Sequence, residues 1–297
     1  MKIRSLRRPR TSSLVAALAA TGLCLAGCGQ SSPVGDDIVR VDSAPDFDPE
    51  STMAKLHDAG KIKIGVKFDQ PGIGYLKPGS HHLTGFDIEI ARIIAGKLGI
   101  KPSHIKWVET ISSNREKFLR NRTVDLVLAT YSITPERRKI VGMAGPYYTT
   151  GQQLLVRQDE KSIKGPKSTV GRKVCSITGT TSIDTFKQVS GVTPVTFPAE
   201  SDCVRELLNK NVDAFTTDGA ILLGYAAQHP KALKVVGDPF TQERYGVGYR
   251  KGDRAMCEFI KQTLWDSYND GTWVNALFGT LRQQGASELT PDLDPCT

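Results

Sequence analysis

The chain has 297 residues, 39 basic against 31 acidic side chains, a formal charge of +8, and 39% hydrophobic residues, enough for one large domain or two ordinary ones with a buried core. The first 27 residues hold five of the basic side chains and no acidic one, which leaves 34 basic against 31 acidic, a net of +3, in the rest. With no basic stripe interleaved with aromatics, that balance gives no support to a nucleic-acid partner.

The chain opens on Lys2, Arg4, Arg7, Arg8 and Arg10, followed by an apolar run from Leu14 to Ala26. The run is too short for a stable spanning helix and has the form of a secretory signal. It ends in Leu25-Ala26-Gly27-Cys28, which resembles the lipobox of bacterial lipoproteins. That resemblance implies a signal peptide over 1–27, a lipidated Cys28 as first mature residue, and anchoring to the outer face of the cytoplasmic membrane. Residues 28–49 are polar, acidic and proline-bearing, the composition of a flexible tether. Cys175, Cys203, Cys257 and Cys296 remain, and four cysteines in an exported chain suggest two disulfides. Three pairings are open, and local grouping favours Cys175–Cys203 and Cys257–Cys296. No CxxC, HExxH or His/Cys cluster argues for a metal, and no cofactor is implied.

Met53 to Ala59 reads as a short helix closed by Gly60, and Lys61 to Val66 as an alternating strand. Lys67 to Tyr75, with its proline and glycines, reads as a loop. Ligand crevices of α/β sheets lie beyond the carboxyl ends of strands. Phe68 is therefore placed either to cover a ligand or to pack in the core, and Lys67 to reach an acidic ligand. From Gly85 to Gly99 the stripe Phe86, Ile90, Ile94, Leu98 marks a helix, with Asp87 and Glu89 at its positive end as packing machinery. Ile105 to Val108 is a strand, and Ser113-Asn114-Arg115-Glu116 fits a capping box. Arg115 is either a surface or salt-bridge residue or a ligand partner. Leu126 to Arg137 then reads as a buried strand, a hydroxyl-rich turn and a helix start. Thr134 suits the N-cap and Pro135 the first helical position. Ser132, Thr134 and Arg137 can grip a carboxylate there, since a guanidinium forks onto one; the plainer reading is a capped helix with Arg137 in solvent. Strand and helix alternate throughout, which indicates an α/β domain with a largely parallel sheet.

Ile140 to Gly151, rich in glycine and tyrosine, reads as a crossing into a second lobe that starts with the strand Gln153 to Val156. After a charged loop the pattern restarts: strand Lys173 to Ile177, turn Thr178-Gly179-Thr180-Thr181-Ser182, then a helix with Ile183 and Phe186. Val192 to Phe197 is a strand and Ser201 a candidate cap for the helix bearing Cys203 and Leu207. Asp218, ending the strand Val212 to Thr217, can cap the next helix, neutralise a ligand ammonium, or both. Tyr245 to Tyr249 reads as a crossing back, and two helices with Cys257, Ile260, Leu264, Trp273 and Leu277 complete the first lobe. The tail past Gln284 is held only if Cys296 is oxidised.

Over residues 50 to 285 the chain resembles the periplasmic-type solute-binding proteins of ABC importers for polar amino acids, above all the glutamate/aspartate/glutamine-binding lipoproteins. Gly85-Phe86-Asp87-Ile88-Glu89-Ile90 and Ser132-Ile133-Thr134-Pro135-Glu136-Arg137 carry that resemblance. It implies a type II periplasmic-binding fold: lobe 1 over 50–150 and 245–297, lobe 2 over 151–244, and a two-strand hinge. It implies a monomer that passes an amino acid (glutamate, aspartate, glutamine or asparagine) to a membrane permease. By the same resemblance Arg137 clamps the α-carboxylate, with Ser132 and Thr134 assisting. Thr130, where relatives often have glycine, supplies a carbonyl. Thr180 and Thr181 add donors, Asp218 takes the α-ammonium, and Ser112-Ser113-Asn114-Arg115 points to the acidic-ligand branch, with Arg115 and Lys67 as side-chain partners. Phe68 is the nearest candidate for an aromatic on the ligand. A sensor lipoprotein would share this pocket, and a dehydratase on the same fold would need a general acid or base that no cleft histidine supplies.

Overall fold

The structure is a computed structural model that describes residues 40–281 and 289–296. The signal segment and Cys28 lie outside the described residues. Residues 40–49 lie against the body: the Asp42 N–H donates to the Gly96 carbonyl (2.9 Å), and Phe47 packs edge-on against Phe259 and His57.

Helix α1 (Thr52–Ala59) starts where Ser51 Oγ accepts the Ala54 N–H (3.0 Å) and stops at Gly60 in the left-handed conformation. Strand β1 (Ile62–Val66) follows. The stretch read as a loop instead forms short strands, β2 (Asp69–Gln70) and β3 (Gly74–Leu76), which with β4 (Leu83–Thr84) make a small antiparallel sheet. Strands of two and three residues are too short to show an alternation. In α2 (Phe86–Lys97) the predicted stripe is sealed: Phe86, Ile90, Ile94 and Leu98 are all fully buried. Burying each contributes about 1.5–3 kcal/mol.

Next come β5 (Ile105–Glu109), α3 (Arg115–Arg120), β6 (Leu126–Leu128), α4 (Pro135–Ile140) and β7 (Gly142–Thr150). The predicted capping box before α3 does not form. Asn114 makes no side-chain cap, and Glu116 accepts the Tyr131 hydroxyl (2.7 Å). At α4 the predicted cap does form, with Thr134 Oγ1 accepting the Arg137 N–H (3.2 Å).

The second half runs β8 (Gln152–Arg157), β9 (Val174–Ile177), α5 (Ser182–Ser190), β10 (Val195–Phe197), α6 (Glu200–Leu208), β11 (Ala214–Asp218), α7 (Gly219–Gln228), β12 (Leu233–Val236) and β13 (Glu243–Tyr249). Helix α6 starts one residue ahead of the predicted cap: Ser201 lies inside it, and its N–H donates to Asp69 Oδ2 (3.0 Å). Helices α8 (Arg254–Asn269) and α9 (Thr272–Thr280) then pack on α2.

One five-stranded sheet has the order β5-β1-β6-β13-β7 and the other β10-β9-β11-β8-β12. In each, three strands pair in parallel, the fourth in the order runs against them, and the fifth pairs antiparallel to the fourth. The result is a two-lobed α/β molecule. Strand β7 continues through Gly151 into β8 of the other sheet, and β13 returns to pair with β7 from Glu243–Thr150 to Tyr249–Gly142. A Cβ on Gly151 would stand 2.5 Å from the Thr241 carbonyl oxygen, so glycine lets the two crossings touch.

The cysteines pair as local grouping suggested. Cys175 on β9 meets Cys203 on α6, and Cys257 on α8 meets Cys296. Beside the second bridge, Asp294 binds both Arg138 and Arg244 (2.6 Å each), which holds the tail on the hinge side.

Candidate functional site: the cleft between the lobes

Strands β1 and β6 end side by side in one sheet and β9 and β11 in the other, and the turn after β9 is reached from the first lobe by Arg115 and Arg137. After β6 the chain turns through Thr130, a non-glycine residue with φ of +46°. Three bonds hold this costly conformation. The Thr130 N–H donates to Asp87 Oδ2 (2.9 Å), its hydroxyl donates to the Ala129 carbonyl (2.8 Å), and Gln70 Nε2 donates to that hydroxyl (3.1 Å). Asp87 is fully buried and also accepts the Tyr147 hydroxyl (2.7 Å); burial pushes its carboxyl up to about 6. The sequence reading made Asp87 part of the packing, whereas its side chain shapes the turn.

Two guanidiniums flank this turn. Arg115, 1% exposed, donates through Nε to the Ser112 carbonyl (3.0 Å) and through Nη1 to the carbonyls of Ala129 (3.1 Å) and Thr130 (3.2 Å). Burial first, then the neighbouring Arg137, lowers it to about 10. Arg137 donates through Nη1 to the Ser132 carbonyl (2.7 Å), with Glu116 at 3.6 Å from Nε. Both guanidiniums lie over the Tyr131 ring, 4.5 and 4.9 Å from its centre. Both also reach one acceptor of the other lobe, the Gly179 carbonyl, at 2.9 Å from Arg115 and 3.2 Å from Arg137. Gly179 has φ of +84°, and a Cβ there would stand 2.8 Å from the Ser113 backbone, so this approach needs glycine.

The second lobe contributes the Thr180–Ser182 turn at the start of α5 and the end of β11. Thr180 Oγ1 donates to the Ile177 carbonyl (2.8 Å) and Thr181 Oγ1 to Glu243 Oε2 (3.0 Å). Asp218 makes no side-chain cap on α7; its Oδ2 accepts the Tyr245 hydroxyl (2.7 Å). Burial and then Glu243 push Asp218 up to about 7, against the Tyr245 hydrogen bond and the two arginines.

Lys67 is not open to the cleft as a lone cation. Its Nζ is 3.0 and 3.1 Å from the two oxygens of Glu200, at the start of α6 in the other lobe; both residues are buried. Gln70 Nε2 adds a third donor to Glu200 (2.8 Å). Burial alone would raise Glu200, but Lys67 and the hydrogen bonds outweigh it and hold its carboxyl below the usual range.

A small cavity is lined by Arg115, Thr130, Ser132, Arg137, Thr180, Thr181 and Asp218. Seven residues singled out in the sequence thus meet in one place. Lys67, Thr134 and Phe68 do not line it: Thr134 caps α4, and Phe68 lies in a separate outer groove with Tyr75, Leu76, Val204 and Leu208. Glu200, Ser182, Thr217 and Ile221 also line the cavity. Sequence reasoning missed them, although Glu200 comes soon after the end of β10, past Pro198 and Ala199, where the strand-end rule also points. Among the described residues no three His, Cys, Asp or Glu side chains group to hold a metal ion. With Lys67 and Glu200 neutralising each other, the cavity wall carries two guanidiniums and one carboxylate. That set suits a molecule carrying both charges.

Residues 62–277 match the model of the bacterial extracellular solute-binding proteins, family 3. The chain is 35% identical to the glutamate-binding protein GluB of Corynebacterium efficiens, over 95% of both chains. It is 32% identical to the ABC transporter glutamine-binding protein GlnH of Bacillus subtilis, over 84% of this chain and 89% of that one. Among solved structures, an ancestral arginine-binding protein bound to glutamine matches with a TM-score of 0.70 and 33% identity, over 74% of this chain and 97% of that one. These relatives are binding receptors and not enzymes.

Proposed function

The chain belongs to the bacterial extracellular solute-binding proteins of family 3, and from that membership we propose that it captures an acidic amino acid, glutamate or aspartate, and delivers it to an ABC importer. The observation that carries this reading is the convergence of Arg115 and Arg137 on one carbonyl beside Asp218. Two guanidiniums and one carboxylate sum to +1, which a glutamate of net −1 neutralises. Arg137 pairs the α-carboxylate, Asp218 the α-ammonium, and Arg115 the side-chain carboxylate. Ser132, Thr180 and Thr181 add hydroxyl or backbone partners; Thr134 acts through the helix that carries Arg137. The Thr130 carbonyl, an acceptor by family resemblance, is engaged by Arg115 here.

Binding proceeds by closure. The ligand settles on the first lobe, and the second brings Asp218 and the Thr180–Ser182 turn over it. The closed form docks on a permease and empties when it opens. Lipidation at Cys28 keeps the receptor on the outer face of the cytoplasmic membrane, and the receptor works as a monomer.

The amide-ligand reading is favoured by the glutamine-binding relative from Bacillus and by the ancestral binding protein solved with glutamine bound. Calorimetric titration of the ligand-stripped soluble chain with glutamate, aspartate, glutamine, asparagine and arginine separates the two. Tightest binding of glutamate or aspartate supports the acidic reading. Preference for an amide assigns Arg115 to the turn alone, and no heat with any of the five removes the substrate class.

A further inference from the structure

Glu200 stands outside every role assigned so far. It comes from the second lobe, lines the cavity, and is 1% exposed. Its carboxylate is nevertheless fully engaged on the first lobe by Lys67 Nζ (3.0 and 3.1 Å) and Gln70 Nε2 (2.8 Å). Asp69 is its acidic neighbour, with Oδ2 accepting the Ser201 N–H (3.0 Å) and its carbonyl accepting the Tyr225 hydroxyl. So the lysine best placed by sequence to meet an acidic ligand already holds a carboxylate, and that carboxylate belongs to the protein.

We infer that Glu200 is a specificity-determining residue: it occupies Lys67 on closure, withholds that cation from the ligand, and leaves Arg115 as the cation that the ligand side chain meets. A ligand carboxylate that took Lys67 would have to displace Glu200 and leave it buried without its counter-ion, which is a costly exchange. The negative charge of Glu200 at the cavity wall also moderates the preference for anionic over amide side chains. It tunes the cleft toward one added carboxylate and away from two competing for the same lysine. This rests on the amino-acid reading above and deepens it.

The test uses the soluble chain, a panel of the twenty L-amino acids screened by thermal shift, and calorimetry on the ligands that bind. Glu200→Gln keeps the size and hydrogen-bonding reach of the side chain while freeing the charge of Lys67. The expected result is an affinity ratio of glutamate to glutamine raised about tenfold or more, the scale of one unit charge acting over a few ångströms inside a protein. Lys67→Met combined with Glu200→Gln returns the ratio to near the wild-type value, because it removes the freed cation. A uniform loss of affinity in Glu200→Gln, with the ratio unchanged, overturns the inference and makes Glu200 a closure contact only. Wild-type protein that binds no amino acid of the panel overturns the functional reading and this inference together. Wild-type binding with an unchanged glutamate-to-glutamine ratio in the variant overturns this inference alone.

Discussion

The two ends of the cleft satisfy their charges in different ways. At one end the lobes supply each other's counter-ions, Lys67 from the first and Glu200 from the second, both buried and within hydrogen-bonding distance. At the other end Arg115 and Arg137 lean on carbonyls and on the face of Tyr131, with Glu116 at 3.6 Å from Arg137. There Asp218 leans on a tyrosine hydroxyl. A charge met by an opposite charge from the other lobe favours closure and has little left for a ligand. A charge met mainly by neutral dipoles keeps most of its Coulomb attraction for one. Under the proposed function, this contrast assigns closure to the Lys67 end and recognition to the Arg137 end.

Breaking the recognition end has the largest expected effect. Arg137→Ala leaves a ligand carboxylate buried without its partner and weakens binding by about 2–5 kcal/mol, read by calorimetry with an unchanged circular-dichroism spectrum. Asp218→Asn follows at about 2–3 kcal/mol by the same measurement, and it also changes the pH profile. In the ligand-free protein Asp218 is pushed up to about 7, while a ligand ammonium favours the carboxylate. Binding just below neutrality therefore releases protons, and affinity falls as pH drops below about 7 and levels off above it. Titration in buffers of different ionisation enthalpy reads the released proton, and Asp218→Asn abolishes it. Stability of the ligand-free protein runs the other way. Asp69 and Asp218, raised to about 7 in the folded state, bind protons more tightly folded than unfolded. Their contribution is therefore favourable at low pH and is lost as pH rises from about 4 through about 7.

Breaking the closure end sharpens the contrast. Lys67 and Glu200 come from different lobes, so opening returns an unpaired partner to water. Lys67→Met accordingly disfavours the closed form, seen in solution scattering as a smaller decrease in radius of gyration when ligand is added. It weakens binding by about 1–2 kcal/mol, glutamate more than glutamine because Glu200 is left without its counter-ion, and less than Arg137→Ala. Thr134→Ala gives the smallest change, about 0.5–2 kcal/mol in thermal unfolding, because it removes one helix cap beside the site.

The fold was legible wherever a period ran long enough. The stripe Phe86, Ile90, Ile94, Leu98 announced α2, and the strand–turn–helix pattern repeated around Ser132–Arg137 and Thr180–Ser182. The small sheet of β2, β3 and β4 was invisible because its strands hold only two or three residues each. Arg137 and Asp218 were legible as candidates because each stands by a strand end or helix start, where ligands gather, whereas Arg115 was singled out by family resemblance. Lys67 and Phe68 stood at such an end too, but what decides their roles lies about 130 residues away at Glu200 and α6. No local pattern reports a pairing that distant. Asp87 escaped for a related reason. An acid in the first turn of a helix has a sufficient electrostatic explanation in the dipole, and only its burial against Thr130 and Tyr147 reveals the second role.

The most direct test of this division of the cleft is a crystal structure of the soluble chain with L-glutamate bound. The account predicts the α-carboxylate on Arg137, the ammonium on Asp218, the side-chain carboxylate on Arg115, and the Lys67–Glu200 pair intact. A ligand carboxylate seated on Lys67 with Glu200 displaced would contradict it.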